Sequence, residues 1–476
     1  MKKFLPWLVF AFFSLLGLVF ANGGGIAIGL LSILISDLAW LSWVVRCEGK
    51  KLSPFVIFCL FLAIYGWYGV CIFELFPEYG GEAYLASKSA WEYLFCNFLA
   101  KVGFSLPFFF IKTTKNPEIE KSGDLPRSLA ACCIVFCFTA TTFELINFFR
   151  AGGIPLLIGG KSLYQSLVDE LFLTLPTLSL FYIAISSLSL LFALRTSKTS
   201  RKDWCLIIIC VLFLSPMLLI YFILGRRGPI MNAFIIFFAA REIVKDQKLY
   251  LFKVVILLSL LGLISGGIYW FRNIGLVSFF TGDFQLPLSG LWDVFIHGLG
   301  EFRAPYGNFN MYFVNRQQID LQLGATYWSG FMILIPGYFL PFPKPQSITY
   351  VFRDLFFSSW AIHGSISGTA FSPILESFIN FSYYAIPLIF LLYNLSFRLV
   401  MGFFKKSRVY SSIVYLATIP LAQSFHRSEF GNFLSVSVEI LVLLCLNKII
   451  YSFVQQVITL SPKLNSLFAT REGNRT

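Results

Sequence analysis

Charge is what this sequence has least of. Only 13% of its 476 residues are Asp, Glu, Lys or Arg, against roughly a quarter in an ordinary soluble domain, while 57% fall in the AVILMFWYC set. So few polar groups cannot cover a globule, which excludes a soluble enzyme, a secreted disulfide scaffold and a disordered chain. An all-α polytopic membrane protein remains. Acidic residues are the scarcer sign: 24 Asp and Glu against 37 Lys and Arg leave a net charge of +13. In a membrane chain that excess first marks basic loops held in the cytoplasm, so no nucleic-acid partner is expected.

Histidine is limited to His297, His363 and His426, too scattered to suggest a zinc site. The 10 cysteines lie mostly in apolar runs, with none between Cys210 and Cys445. Cys132, Cys133 and Cys137 have no His or carboxylate at ligand spacing. The thiols therefore read as small buried hydrophobes, with no disulfide framework, metal or cofactor expected. No internal repeat is visible.

What is present is a series of long apolar runs. A spanning helix takes about 20 residues, and the runs predict about 12 spans. They lie near 4–20, 26–45, 54–76, 93–111, 129–148, 172–194, 204–224, 229–240, 251–270, 373–400, 411–424 and 432–451. The first reads as an uncleaved helix rather than a signal peptide. Basic clusters at Lys2-Lys3, Arg46 to Lys51, Lys112 to Arg127, Arg195 to Lys202, Arg241 to Lys248 and Lys405 to Arg408 fall on alternate sides of successive spans. They place both termini in the cytoplasm. The opposite face receives 77–92, 149–171, 225–228, 271–372 and 425–431. The chain thus divides into N-terminal helices (1–224), an Arg turn with the following helices (225–270), one large periplasmic loop (271–372) and C-terminal helices with a cytoplasmic tail (373–476). Within that loop the apolar stretch 326–342 is expected to lie in the interface or dip in and return. Its only route back, 347–371, carries Arg353, Asp354 and His363, which are costly in lipid.

Some arginines defy the positive-inside pattern. Arg150, Arg226, Arg227, Arg272, Arg303, Arg316, Arg353 and Arg427 are assigned to the outer face, where Lys is rare. A guanidinium fork suits phosphate or carboxylate. The sharpest instance is Leu224-Gly-Arg-Arg-Gly-Pro229, a turn whose Pro229 suits the first turn of a helix. That helix would aim free N–H groups at an anion such as a pyrophosphate. Candidate proton-transfer groups are His363, Glu301 and His426, with Glu376 and Glu429 as further carboxylates. Ser372-Pro373 reads as the cap and first residue of a helix that carries Glu376. Asp37 and Lys101 sit inside spans and need a partner or water.

The turn at 224–229, Leu323-Gly-Ala-Thr-Tyr-Trp-Ser-Gly330, Ile335-Pro-Gly-Tyr-Phe-Leu-Pro-Phe-Pro-Lys-Pro345 and the stretch from Gly364 to Glu376-Ser-Phe-Ile-Asn-Phe381 together resemble bacterial O-antigen or exopolysaccharide repeat-unit polymerases of the Wzy type. The resemblance covers fragments of 220–430. That family's loop carries Arg, ten intervening residues and Gly, a spacing met by Arg353 and Gly364, with His363 beside the Gly. The turn departs from the family, which often has a small residue before a single Arg; this leaves open whether Arg226 or Arg227 faces the site.

The resemblance implies a GT-C-like fold in the bacterial inner membrane and metal-independent glycosyl transfer without a cofactor. A growing glycan would pass from one polyprenyl pyrophosphate to the next lipid-linked oligosaccharide unit, as in lipopolysaccharide synthesis. Arg226, Arg227, Arg303 and Arg427 would bind pyrophosphate; Arg353 with His363 or Glu301 would serve the chemistry. Trp292, Tyr306, Tyr312, Tyr327, Trp328, Trp360 and Tyr383 are candidate sugar platforms. A chain-length regulator and a flippase are the implied partners. A ligase of the same chemistry and a polysaccharide transporter remain as alternatives.

Overall fold

A computed structural model of the chain describes residues 5–49, 52–77, 89–111, 127–150, 152–153, 176–195, 201–224, 226–245, 253, 256, 259–268, 296, 299–335, 339–357, 371–403 and 408–460. Among them there is helix, turn and coil, and no strand. The helices are α1 (Leu5–Asn22), α2 (Ile26–Cys47), α3 (Pro54–Leu75), α4 (Ala90–Ser105), α5 (Arg127–Arg150), α6 (Thr177–Arg195), α7 (Arg201–Ile223), α8 (Arg227–Lys245), α9 (Ser259–Ile268), α10 (Ala304–Val314), α11 (Ala325–Ile333), α12 (Ile348–Phe356), α13 (Pro373–Phe381), α14 (Ile386–Phe403), α15 (Arg408–Ala417), α16 (Ile419–Ser424) and α17 (Phe430–Leu460). Single turns of 3-10 helix at 300–303 and 425–427 link several of them.

Among the described residues, eight helices are long and apolar enough to cross a membrane: α1 to α7, with α4 continued to Phe110, and α17. All eight coincide with expected spans. Of the other four expected spans, three are interrupted or charged in ways that a hydropathy average conceals, and the fourth, 251–270, lies partly outside the described residues. The stretch 373–400 is two helices, because Ser382 takes a positive φ of 57° that no helix continues through. The stretch 411–424 is broken at Thr418, where Pro420 opens the first turn of α16. α8 is long enough but carries Arg241, Glu242 and Lys245. α9, as described, covers only ten residues, Ser259–Ile268. Among the described residues, helix length and composition therefore support eight candidate spans; the expected total of about twelve extends beyond them.

Much of the expected loop, 271–295, 297–298, 336–338 and 358–370, lies outside the described residues. The rest forms the short helices α10, α11 and α12. α11 covers nine residues, too few to cross. It starts after Gly324, whose φ of 93° favours glycine.

α3 is the axis of the bundle. It is apolar on all sides and almost wholly buried, as a helix without a polar face must be. Ser53 accepts a hydrogen bond from the Val56 N–H at 3.1 Å and Pro54 takes the first turn. Around α3 pack α2, α4, α10, α16 and both 3-10 turns. Aromatic rings fill much of the interface: Phe58 stacks on Phe104 with centroids 4.0 Å apart, and Phe390, Phe397 and Phe425 surround it. Elsewhere small residues let backbones meet. Gly17 and Gly29 face each other in the α1–α2 hairpin, where a Cβ on either would come within 2.8 Å of the other's carbonyl oxygen.

Asp37 and Lys101 find the pairing that their position demands. Lys101 Nζ donates to Asp37 Oδ1 at 2.5 Å, and both side chains are buried. The ammonium also lies 5.9 Å from the Trp40 ring centroid, and the Trp40 indole N–H donates to Ser105 Oγ at 2.8 Å. Removing one partner strands a buried charge, so Lys101→Met is expected to destabilise the fold by about 3–5 kcal/mol. The double variant Asp37→Asn with Lys101→Met should recover most of that loss. Unfolding of the three proteins in detergent measures both effects, and equal losses in the single and double variants would contradict the pairing.

Candidate functional site

The paired arginines sit where α7 gives way to α8. Leu224 N–H and Arg226 N–H donate back to Ile220 O and Tyr221 O at 2.9 and 2.8 Å, closing α7, and α8 begins at Arg227 with Pro229 in its first turn. The two guanidinium groups diverge. Arg226, half-buried, lies 5.6 Å from the Tyr221 ring centroid and 3.9 Å from Glu144 Oε1 on α5. Arg227 is buried, with Nη1 3.4 Å from Ser265 Oγ on α9. One bidentate fork built from both residues is thus not present.

One helical turn into α8 from Arg227, Met231 belongs to the wall of an apolar groove. The cavity, about 420 Å³, runs between α2, α3, α8, α9, Ile296, Leu299 and Phe302. Leu38, Ile64, Trp67, Met231, Leu261 and Phe302 are among its walls. Its lining on α3 extends from Leu60 to Ile72, about 18 Å of helix. Met231 is four residues after Arg227, so both belong to one face of α8. Ser265 likewise lies one turn beyond Leu261 and Gly262 on α9. Arg227 and Ser265 thus lie about one turn beyond the wall residues of α8 and α9, and the charged side chain in the lining itself is Asp37.

Two further arginines belong to turns held against α3. At Gly69 a Cβ would meet Tyr306 Cβ at 2.7 Å and Arg303 Cα at 3.4 Å, so a residue without a side chain lets the 300–306 segment approach. Phe302 packs on Tyr65, centroids 4.8 Å apart, and Tyr65 in turn lies 5.7 Å from His426. Asn232 Nδ2 donates to Gln423 Oε1 at 3.2 Å, which joins α8 to the segment leading to Arg427. His426 is buried, its Nε2 2.9 Å from the Phe58 carbonyl oxygen, and Arg427 is half-buried. This turn lies at the depth of Phe58, in the first turns of α3. The sequence reading assigns 425–431 to an outer loop; the structure encloses the turn in the bundle, because Phe425 and His426 pack against Phe58.

The carboxylates Glu376 and Glu429 form a separate knot. Ser372 caps α13 by accepting from Leu375 N–H at 3.1 Å, with Pro373 first in the helix, as the sequence indicates. One turn in, Glu376 Oε1 accepts from Thr326 Oγ1 at 2.8 Å and Oε2 from the Phe430 N–H at 2.6 Å. Asn380 Nδ2 donates to Thr326 Oγ1, its Oδ1 accepts from Gly324 N–H, and Tyr327 OH meets Ser377 Oγ at 3.0 Å. Glu429 Oε2 accepts from both N–H and Oγ1 of Thr349 at 3.1 and 3.0 Å. Each carboxylate thus caps the amino end of another helix, Glu376 that of α17 and Glu429 that of α12. Burial pushes the Glu376 carboxyl up to about 8, against the pull of Thr326 and Phe430.

The structure places the remaining candidates unevenly. Arg353 on α12 is bound to its neighbour Asp354, Nη2 and Nε at 2.6 and 2.8 Å from Oδ1, and lies 5.1 Å from the Tyr350 ring centroid. Glu301 belongs to the 300–303 turn, but its side chain is outside what is described, as are His363, Gly364, His297, Trp292 and Trp360 altogether. Tyr306 and Tyr312 are buried packing residues, whereas Trp328 is exposed. Sequence reasoning missed Glu144, although a carboxylate inside an apolar span is a recognisable signal. It also missed Thr326 and Asn380, whose roles depend on contacts 50 or more residues away.

Comparison with protein-family models, curated proteins and solved structures gives no match for this chain. Fold and composition define a multi-pass, all-helical membrane protein.

If the Glu376 knot joins α11, α13 and α17, Glu376→Ala should cost at least about 2 kcal/mol, since the Phe430 N–H and the Thr326 hydroxyl both lose an acceptor. Glu376→Gln retains one acceptor and should cost less. Thermal unfolding in detergent ranks the three proteins, and an unchanged midpoint for the alanine variant would rule out the knot.

Proposed function

We propose that this protein polymerises polyprenyl-pyrophosphate-linked oligosaccharide repeat units at the outer face of the bacterial cytoplasmic membrane, both termini being cytoplasmic. The observation that carries this reading is the apolar groove between α2, α3, α8 and α9, with Arg227 one helical turn from its Met231 wall and Arg303 on the turn packed at Gly69 of the same helix α3. An isoprenoid tail suits a long cavity with apolar walls; a pyrophosphate suits guanidinium donors near it. The resemblance in 220–430 supports the same substrate.

In the reaction, a hydroxyl oxygen of the incoming lipid-linked unit forms a bond to the anomeric carbon of the growing glycan. The bond from that carbon to the pyrophosphate oxygen breaks, and the pyrophosphate leaves on its lipid carrier. The hydroxyl proton passes to a base, for which His363 and Glu301 are the candidates. Arg227 and Arg303 offset the charge that develops on the departing pyrophosphate, whereas Arg427 follows the turn packed at Phe58, about 16 Å from Gly69 along α3, and is assigned to holding that turn. Arg226 is held by Glu144 and Arg353 by Asp354, so both are assigned to placing their helices beside the site. A chain-length regulator and a flippase that delivers the lipid-linked units are the proposed partners.

The test is complementation of a deletion strain. Arg227→Ala and Arg303→Ala, present in the membrane at wild-type abundance, should yield surface glycan of single repeat units on a gel, where wild type gives a ladder. Ladders of normal length from both variants would overturn the assignment. Long polymer that accumulates unattached would point to a ligase, and lipid-linked units trapped in the cytoplasmic leaflet to a transporter.

A further inference from the structure

Most of the cysteines are the small buried hydrophobes that the sequence suggests. Three of them, however, meet. Cys133 and Cys137 are one turn apart on α5, and Cys210 lies on the facing helix α7; all are buried, and their Sγ atoms lie within 4.8 Å of one another. The Cys133 and Cys137 sulfurs are 3.9 Å apart. Among the described residues this is the one such convergence of three His, Cys, Asp or Glu side chains.

We propose that Cys133, Cys137 and Cys210 form a three-coordinate thiolate site for Cu(I), which staples α5 to α7. The ligand type comes first: thiolate sulfur is soft and selects soft cations over Mg²⁺, Ca²⁺ or Mn²⁺. The ligand number comes next. Structural zinc sites are almost always closed by four protein ligands, and no fourth His, Cys or carboxylate joins this group among the described residues. A d¹⁰ monovalent copper ion accepts three. The geometry agrees: a triangle of sulfurs with a 3.9 Å edge puts its centre about 2.3 Å from each, a metal–thiolate bond length. The wider edges close to that spacing by movements of less than about 1 Å, within the reach of small rotamer adjustments.

The two helices are already held in the register that the site needs. Thr141, one turn beyond Cys137, donates its Oγ1 hydrogen to the carbonyl oxygen of Phe213, three residues beyond Cys210, at 2.5 Å. The triad is thus presented on opposed, cross-bonded faces. Binding replaces three S–H bonds by three S–Cu bonds and releases three protons to solvent; copper enters and stays as Cu(I), so no electron is transferred. The surplus negative charge lies in the amino-terminal halves of both helices, which begin at Arg127 and at Arg201-Lys202. The staple has a structural consequence. Glu144 is carried by α5, and the turn that presents Arg226 follows α7 directly, so the metal would hold together the two helices on which that ion pair depends. The inference stands independently of the polymerase reading.

The purified full-length protein, reduced and in detergent, is titrated with Cu(I) against bicinchoninate as a coloured competitor. One Cu(I) per chain should be withdrawn from the competitor, with X-ray absorption showing three sulfur neighbours at about 2.3 Å and a rise in the thermal midpoint. Cys210→Ser should lose that stoichiometric copper, whereas Cys132→Ser, a neighbour outside the group, should keep it. Failure of the wild-type protein to withdraw copper would overturn the proposal, as would nitrogen or oxygen neighbours in the absorption spectrum or full retention by Cys210→Ser. The wild-type titration and spectrum decide the matter even where Cys210→Ser folds poorly.

Discussion

A polar group taken out of water inside this bundle has to be answered by another part of the protein, because hydrocarbon offers no hydrogen bonds. The architecture follows from that demand more than from the apolar packing, which is permissive. Asp37 is answered by Lys101 across two helices, and the Leu52 N–H at the approach to α3 by Glu242 on α8, 2.9 Å away. Glu376 and Glu429 answer the exposed amino ends of α17 and α12. Each of these bonds joins elements remote in sequence. Apolar faces alone would allow the same helices to slide or rotate against one another at little cost, since lipid is as apolar as a leucine side chain. The polar ties choose one arrangement.

The same demand explains why the carboxyl-terminal half is broken into short pieces. A helix end in the interior exposes several unpaired backbone groups, and it survives only where side chains reach them. α13 ends after nine residues and α16 after six, and around both lie Asn380, Gln423, Glu376 and Glu429. Short helices turned by Ser382 and Pro420 bring polar residues into the depth of the bundle without passing them through lipid. The groove, by contrast, is walled mostly by long uninterrupted helices with little polar surface.

Much of the first kind of structure was legible in the amino-acid sequence. Each of the eight long helices follows a predominantly apolar run. The Ser372-Pro373 start of α13, the first-turn Pro229 and the need of Asp37 and Lys101 for partners were readable because each depends on a few neighbouring residues or on burial alone. Charge placement led to the expectation that 326–342 does not cross, and the described helix within it, α11, has nine residues. The break at Ser382 was not readable, since serine is no helix breaker by type and the hydropathy average runs smoothly over it; that at Thr418 was signalled by Pro420 but passed over within an apolar run. Nor was the burial of His426: its carbonyl partner at Phe58 is 368 positions away. The thiol triad shows the boundary clearly. The spacing of Cys133 and Cys137 puts them on one helix face, but nothing in sequence points from them to Cys210.

The arginines that opened the functional argument divide by surroundings. Arg226 and Arg353 lie beside carboxylates, at Glu144 and Asp354, and their charge is locally balanced. Arg227 lies beside the Ser265 hydroxyl, and one turn further along α8 Met231 belongs to a hydrocarbon wall. On the proposed reading, an anion tethered to a hydrocarbon chain would meet a guanidinium and an apolar wall in one molecule. Its tail would lie along that wall, with its charged head towards Arg227. Arg303 belongs to a turn fixed to α3 at Gly69, so the helix that walls the groove also sets where that donor stands. Recognition of tail and head would then be coupled through a single rigid element, and a substrate with only one of the two would leave half of the arrangement unanswered.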